Sequence, residues 1–396
     1  MADPAPGVRS RRHPIRRSAA AAGLLGALLT STGCGGGASP AAAVATPTAP
    51  GPSAGPTLSP TPRPELLVAV LERHHGSRTA DTVAIVGLDG YARARATFQP
   101  RTLPDVGRAN PVLQPEARVV GGAVYYVDGL GVVRRLVPHG GEPRTVATFP
   151  ITSDRQSVAF AVSPDGTRLM ATVLTVTPVV GAEATAGLPP WHVDVEVAGA
   201  GGPTVTVRSI DIPAAEPGAA PRALQMVGWD RTGAVALSDG VGAEQQDESG
   251  GLWQGHPAHV DSHGLAGPPL GGPTCGASYE EPDGTLLCAD LPGATTTLRR
   301  PDGSTIHRFG NTGPGPHLSP DGGRLAYAVA GGPGTVQSRD GSTLTLAAGF
   351  IPSGWLGGGL LIGNTRGEEL AYLALSAPGR TEDIGFPGSF VGLVQG

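Results

Sequence analysis

Ala161-Val162-Ser163-Pro164-Asp165-Gly166-Thr167-Arg168-Leu169 returns in the second half of the chain as His317-Leu318-Ser319-Pro320-Asp321-Gly322-Gly323-Arg324-Leu325. Each copy is an apolar strand, a tight turn and a second apolar strand. Pro presets φ at the first corner, Asp bonds the backbone two residues on, and Gly accepts a positive φ. Weaker copies run through Val227–Val235, Pro282–Leu286, Val119–Tyr126 and Ser353–Leu361. Taking Gly122, Gly166, Gly233, Gly284, Gly322 and Gly358 as equivalent, the spacings are 44, 67, 51, 38 and 36 residues. Most approach the ~40–50 residues of a four-stranded propeller blade. The two long intervals hold the insertions Val179–Pro190 and Ser238–Gly251.

Second hairpins fall between these turns. Val83–Val86 and Arg93–Phe98 flank Leu88-Asp89-Gly90, Val132–Leu136 and Arg144–Phe149 flank His139-Gly140-Gly141, and Thr295–Arg299 and Thr305–Phe309 flank Pro301-Asp302-Gly303. Two hairpins per repeat make a blade, and radial blades leave only short sheet edges. Six repeats plus an incomplete upstream set beginning at Leu66 predict an all-β, seven-bladed β-propeller over residues 65–396; six or eight blades also fit the spacing. The upstream set lacks one strand. Ser389-Phe390-Val391-Gly392-Leu393-Val394 is expected to supply it, joining both ends of the ring in one blade.

These Ser-Pro-Asp-Gly turns, with Arg-Leu and a small residue following, resemble the WD-like repeats of TolB-like propellers and the propeller halves of actinobacterial envelope lipoproteins. The resemblance covers residues 65–396 and implies a propeller outside the cytoplasm. It does not extend to the additional N-terminal domain of TolB.

The N-terminal segment reads as an address. Residues 1–17 hold five Arg against Asp3, and an apolar stretch of eleven residues runs from Ala19 to Leu29. That is short of the ~20 residues of a membrane span and suits a signal-peptide core. Thr30-Ser31-Thr32-Gly33-Cys34 then resembles a bacterial lipobox, with Ser31 where an aliphatic residue is usual. This implies a signal peptide over 1–33 and a lipid on Cys34; an ordinary signal peptide cut near Gly33 is the alternative. Residues 34–64, with eight Pro and the single charge Arg63, form an expected disordered Pro/Ala/Gly-rich tether.

Composition agrees with an exported β protein. The 396 residues include 62 Gly and 40 Pro, which leave few windows long enough for a helix. Removing residues 1–33 takes away five Arg and one Asp and moves the net charge from −5 to −9, so no general attraction to nucleic acid is expected. Cys275 and Cys288 flank the turn Glu280-Glu281-Pro282-Asp283-Gly284, and export favours a disulfide between them. Two free buried thiols are the alternative. Register counted from the turn does not place them directly opposite.

Catalytic signatures are thin. Residues 65–396 hold no Gly-x-Ser-x-Gly elbow, and the chain has no His-Glu-x-x-His. His256, His259, Asp261 and His263 form a cluster of candidate metal ligands, but its spacing fits no established site, and exposed loop histidines are the plainer reading. Trp229 and Trp355 occupy equivalent repeat positions and are expected in blade packing. Trp191 and Trp253 lie beside the insertions and are candidates for a binding face. The expectation is a monomeric, lipid-anchored, extracytoplasmic scaffold that binds an envelope protein or small ligand, without cofactor or catalysis. The alternative is a propeller enzyme or small-ligand receptor with its site at the channel mouth.

Overall fold

A computed structural model describes residues 65–395 apart from 75–79, 101–116, 177–189, 214–221, 242–255, 281–283, 291–294, 313–314, 329–331 and 366–368. The leader, Cys34, the tether and Trp253 lie outside the described residues. Among the described residues, twenty-seven strands form seven antiparallel sheets arranged as blades. Blade 1 is closed as expected: β27 (Ser389–Val394) pairs with β1 (Leu67–Glu72), followed outward by β2 (Asp81–Gly87) and β3 (Ala92–Phe98). Leu67 pairs with Val394 and Val68 with Leu393, so the first and last strands share one sheet.

The next blades follow in chain order. Blade 2 is β4 (Ala117–Val120) to β7 (Arg144–Thr148), and blade 3 is β8 (Gln156–Val162) to β11 (Thr204–Ile212). Blade 4 contains β12 (Arg222–Trp229), β13 (Ala234–Val241) and β14 (Pro257–Val260). Blade 5 is β15 (Cys275–Glu280) to β18 (Thr305–Asn311), blade 6 is β19 (His317–Leu318) to β22 (Thr343–Thr345), and blade 7 is β23 (Ile351–Gly357) to β26 (Glu382–Pro387). β4 stands beside β27, β8 beside β12, and β23 beside both β19 and β27, so the opening strands form the inner wall of the ring.

Blade 4 departs from four strands. Its outer position is taken by a bent segment, with a single bridge between Val260 and Ala266 and bonds from Gly267 and Leu270 amides to His259 and Pro257 carbonyls. Pro268 and Pro269 carry no amide hydrogen, so this stretch cannot complete a ladder.

The two close repeats fold alike. The Ser163 hydroxyl donates to Asp165 at 2.5 Å and accepts the Arg168 amide at 2.9 Å. Ser319 repeats both distances with Asp321 and Arg324. Gly166 and Gly322 take φ of 71° and 65°, which explains glycine at the fourth turn position. A bond from the Ser163 hydroxyl, then the Thr167 amide, hold the Asp165 carboxyl down to about 2. Its unfolded value lies near 3.9, so this contribution is present above pH ~4 and lost as pH falls toward 2. Ser163→Ala should therefore shrink the loss of stability over that acid interval, read from urea midpoints at successive pH. A Ser163→Ala profile identical to wild type would show that the turn contributes nothing.

The core lies between blades. Trp191, Val193 and Val195 of blade 3 pack with Leu224, Met226, Ala234 and Leu237 of blade 4, and Phe160 packs with Tyr125 and Phe149 of blade 2. Trp355 is buried and its indole donates to the His317 carbonyl at 2.9 Å, locking blade 7 to blade 6. Arg168 lies over the partly buried Trp229, 5.2 Å from the ring centroid. Both repeat tryptophans thus serve blade packing.

Strand alternation gives the ring two unlike faces. Connections between first and second strands, including both Ser-Pro-Asp-Gly turns, leave at one face. The connections β3–β4, β9 (Arg168–Val176) to β10 (Trp191–Gly199), β11–β12 and β13–β14 start and finish at the opposite face. Apart from residues 261–274, which hold the bent segment of blade 4, these are the longest in the chain. Among the described residues no helix is long and apolar enough to cross a membrane.

Candidate functional site: the central channel

The inner strands are built from small and aliphatic residues. Gly392 of β27 faces Val119 of β4 so closely that an added Cβ would come within 2.9 Å of it, and Gly354 of β23 accommodates the Phe390 ring. Into this apolar wall β4 places Arg118, and His317 opens β19.

Arg118 is the centre of this arrangement. It leaves β4 of blade 2, donates from Nε to the Phe160 carbonyl of blade 3 at 2.6 Å, and reaches blade 4, where Nη2 donates to the Met226 carbonyl at 3.0 Å and Nη1 to that of Val227. One side chain thus ties three blades. The guanidinium carbon lies 6.0 Å from the Phe160 ring centroid, the outer limit of a cation–π contact. Arg118 is deep in the molecule yet keeps partial solvent exposure. No carboxylate pairs with it among the described residues, and desolvation pulls its pKa down to about 9.

His317 opens β19 of blade 6, across the ring. It too is deep but partly exposed, and burial pushes its pKa down to about 4. The unfolded value lies near 6.5, so the native state binds fewer protons between those values. Stability should fall as pH drops from ~6.5 to ~4 and then level off. His317→Leu is expected to remove this component, measured as the difference between wild-type and variant denaturation midpoints; parallel profiles would refute it.

The predicted metal ligands take separate partners. His259 Nε2 lies 2.7 Å from Asp230 Oδ2, joining β14 to the turn after β12. Burial raises the Asp230 pKa, but bonds from His259 and the Gly233 and Thr232 amides outweigh it and leave the value lowered. His256 Nδ1 meets the Cys275 carbonyl at 3.0 Å, and the exposed His263 lies beside Asp261 at 3.8 Å. Asp261 itself accepts the His263 and Leu265 amides and shapes the bend that replaces the outer strand. Among the described residues no three His, Cys, Asp or Glu side chains are grouped to hold a metal ion.

Trp191 is 3 % exposed and belongs to the blade 3–blade 4 core. It opens β10 with an apolar face turned inward, so the expectation of a binding-face aromatic is corrected at this position. A strand-opening residue beside an insertion is still in the sheet, and its alternation places it with Val193 and Val195. Cys275 and Cys288 form a disulfide. Cys275 pairs with Asp290 and Ala277 with Cys288, so the bridge crosses the ladder diagonally.

One further polar group lies on blade 3. His192 Nδ1 is 2.7 Å from Asp211 and Nε2 3.2 Å from Asp194, and the Ser209 hydroxyl donates to Asp194 at 2.5 Å. The bond to Asp211 raises the His192 pKa most. This cluster sits on the outer strands and away from the channel.

Sequence reading passed over Arg118 and His317. The available signal was a lone Arg in the apolar strand Ala117–Val120, and a His directly before the repeat's Leu-Ser-Pro-Asp-Gly. Neither has meaning until the first strand of each blade is placed innermost.

No protein-family model and no curated protein sequence matches the chain. Among solved structures it is similar to the Dos1 propeller, at 10 % identity and TM-score 0.44, covering 82 % of this chain and 85 % of that one. It is also similar to an oligogalacturonate lyase in complex with manganese, at 10 % identity and TM-score 0.32, covering 81 % and 85 %. A third is Kuenenia stuttgartiensis hydrazine synthase, at 14 % identity and TM-score 0.38, covering 72 % and 88 %. The architecture is a seven-bladed β-propeller, and these distant similarities extend to propeller proteins without assigning a family.

Proposed function

We propose that the chain is a non-catalytic binding scaffold held at the outer side of a cell membrane through a lipid on Cys34. The lipobox-like Thr30–Cys34, the Pro-rich residues 34–64 and the resemblance of the turns to TolB-like and actinobacterial envelope propellers support this reading. The observation that carries the scaffold role is the closed ring. Both ends meet in blade 1, and, apart from the bent segment after β14, the longest connections are grouped at the face opposite the Ser-Pro-Asp-Gly turns. Such a frame holds variable connections on rigid supports, the usual arrangement for recognition.

Membrane attachment is tested by fractionating cells that express the full chain. The wild-type protein should sediment with membranes, and Cys34→Ala or globomycin treatment should alter processing and release it from the membrane fraction. An unchanged distribution would overturn the anchor. The second reading, a small-ligand receptor, is favoured by one observation: the Arg118 guanidinium on the inner wall, with which no carboxylate pairs among the described residues.

A further inference from the structure

We infer that the inner wall of the ring binds a small organic carboxylate at the Arg118 guanidinium. Arg118 has five N–H groups, and three of them reach the carbonyls of Phe160, Met226 and Val227. The two remaining N–H groups have no partner among the described residues. Carbonyl oxygens satisfy donors but do not neutralise charge, and a charge held deep in protein without a counter-ion is costly.

A purely mechanical strut explains the three carbonyl bonds but not the charge. The same span could be bridged by a neutral amide or filled with apolar side chains at lower electrostatic cost. A carboxylate seated on the two open N–H groups supplies the missing counter-charge through charge-assisted bonds. One negative charge matches the single guanidinium, with which no charged group pairs among the described residues. The low-dielectric walls strengthen the attraction for one negative charge.

This inference rests on the receptor form of the scaffold reading and is independent of membrane attachment. Its test uses benzoate as probe, with benzyl alcohol as the neutral analogue, titrated into the purified propeller-containing chain by calorimetry and ligand-observed NMR. Benzoate should bind saturably and benzyl alcohol should not. Arg118→Gln should weaken benzoate binding at least about tenfold, the factor expected for losing hydrogen bonds to a charged group. Arg118→Lys, which keeps the charge but loses the fork, should fall between the two.

Where Arg118→Gln does not fold, the wild-type arm decides by itself, through saturable benzoate binding that benzyl alcohol does not share. Absence of saturable benzoate binding to folded wild-type protein would overturn the inference. So would equal binding of benzoate and benzyl alcohol, or unchanged affinity in folded Arg118→Gln. None of these failures alters the outcome of the Cys34 fractionation, so the two readings fail separately.

Discussion

Deletion of residues 389–396 is expected to abolish cooperative folding of the propeller. These residues supply β27, the innermost strand of blade 1. Val394 is buried against the Leu67–Val124 cluster, and Phe390 and Leu393 pack with Val68, Val70 and Leu356. Complete burial of such side chains stabilises by about 1.5–3 kcal/mol each. Losing even their partial burial removes about 5 kcal/mol, against a total native stability of only about 5–15 kcal/mol. Phe390 also fills the space over Gly354, so blade 7 loses packing as well. The deletion further bares β1, whose Leu67–Leu71 run is apolar and buried in the intact ring. An exposed apolar edge of this kind recruits other chains. The truncated protein should therefore aggregate on expression and give no sigmoidal urea transition, followed by near-UV circular dichroism. A soluble truncated protein with a midpoint near wild type would show that the ring does not depend on this closure.

Loss of the Cys275–Cys288 bridge is the second large effect. The cysteines are 13 residues apart, with Cα atoms separated by 4.8 Å. Both are buried in a small cluster with Val235, Leu270 and Leu286, at the junction of blades 4 and 5. Chain-entropy arguments assign a loop of this length about 3 kcal/mol. Blade 4 has no regular outer strand, and blade 5 carries the bridge beside it, so the cross-link stands where the sheet framework is weakest. Cys275→Ala with Cys288→Ala should lose about 2–5 kcal/mol in denaturant unfolding, the usual cost of removing such a bridge. Hydrogen exchange should accelerate first in Leu286–Cys288 and Pro257–Val260. Addition of reductant should destabilise the wild type and leave the double variant unchanged. A double variant as stable as wild type, or one still sensitive to reductant, would contradict the assignment.

The fold was legible because its local chemistry repeats. The same Ser, Asp and Gly side chains close the same bonds at Ser163 and Ser319, so periodic turns could be read as periodic blades. The closing strand was legible for a related reason: blade 1 lacked a member, and Ser389–Val394 was an apolar run without a partner. Blade 4 was less readable. Its outer segment has strand-like burial at Leu270 but is interrupted by Pro268 and Pro269, and only tertiary bonds to β14 show where it lies. The candidate site was the least legible part. Arg118 meets residues 42 to 109 positions away in sequence, so its surroundings are a product of ring closure. The His256–His263 cluster drew attention because its members are near in sequence. In the folded chain their side chains serve Asp230, Cys275 and the Asp261 bend. Trp191 shows the complementary error, since proximity to an insertion says nothing about which way a strand residue points.

Cross-linking of the first and last strands probes the ring itself. Val68 and Leu393 are direct partners on β1 and β27. In a Cys34→Ala background, where Cys275 and Cys288 are already paired, Val68→Cys with Leu393→Cys should oxidise to a bond within one chain. Peptide mapping should then recover residues 68 and 393 in one linked fragment that separates on reduction. Two free thiols in folded protein, or bonds formed only between chains, would mean that the two ends do not share a blade.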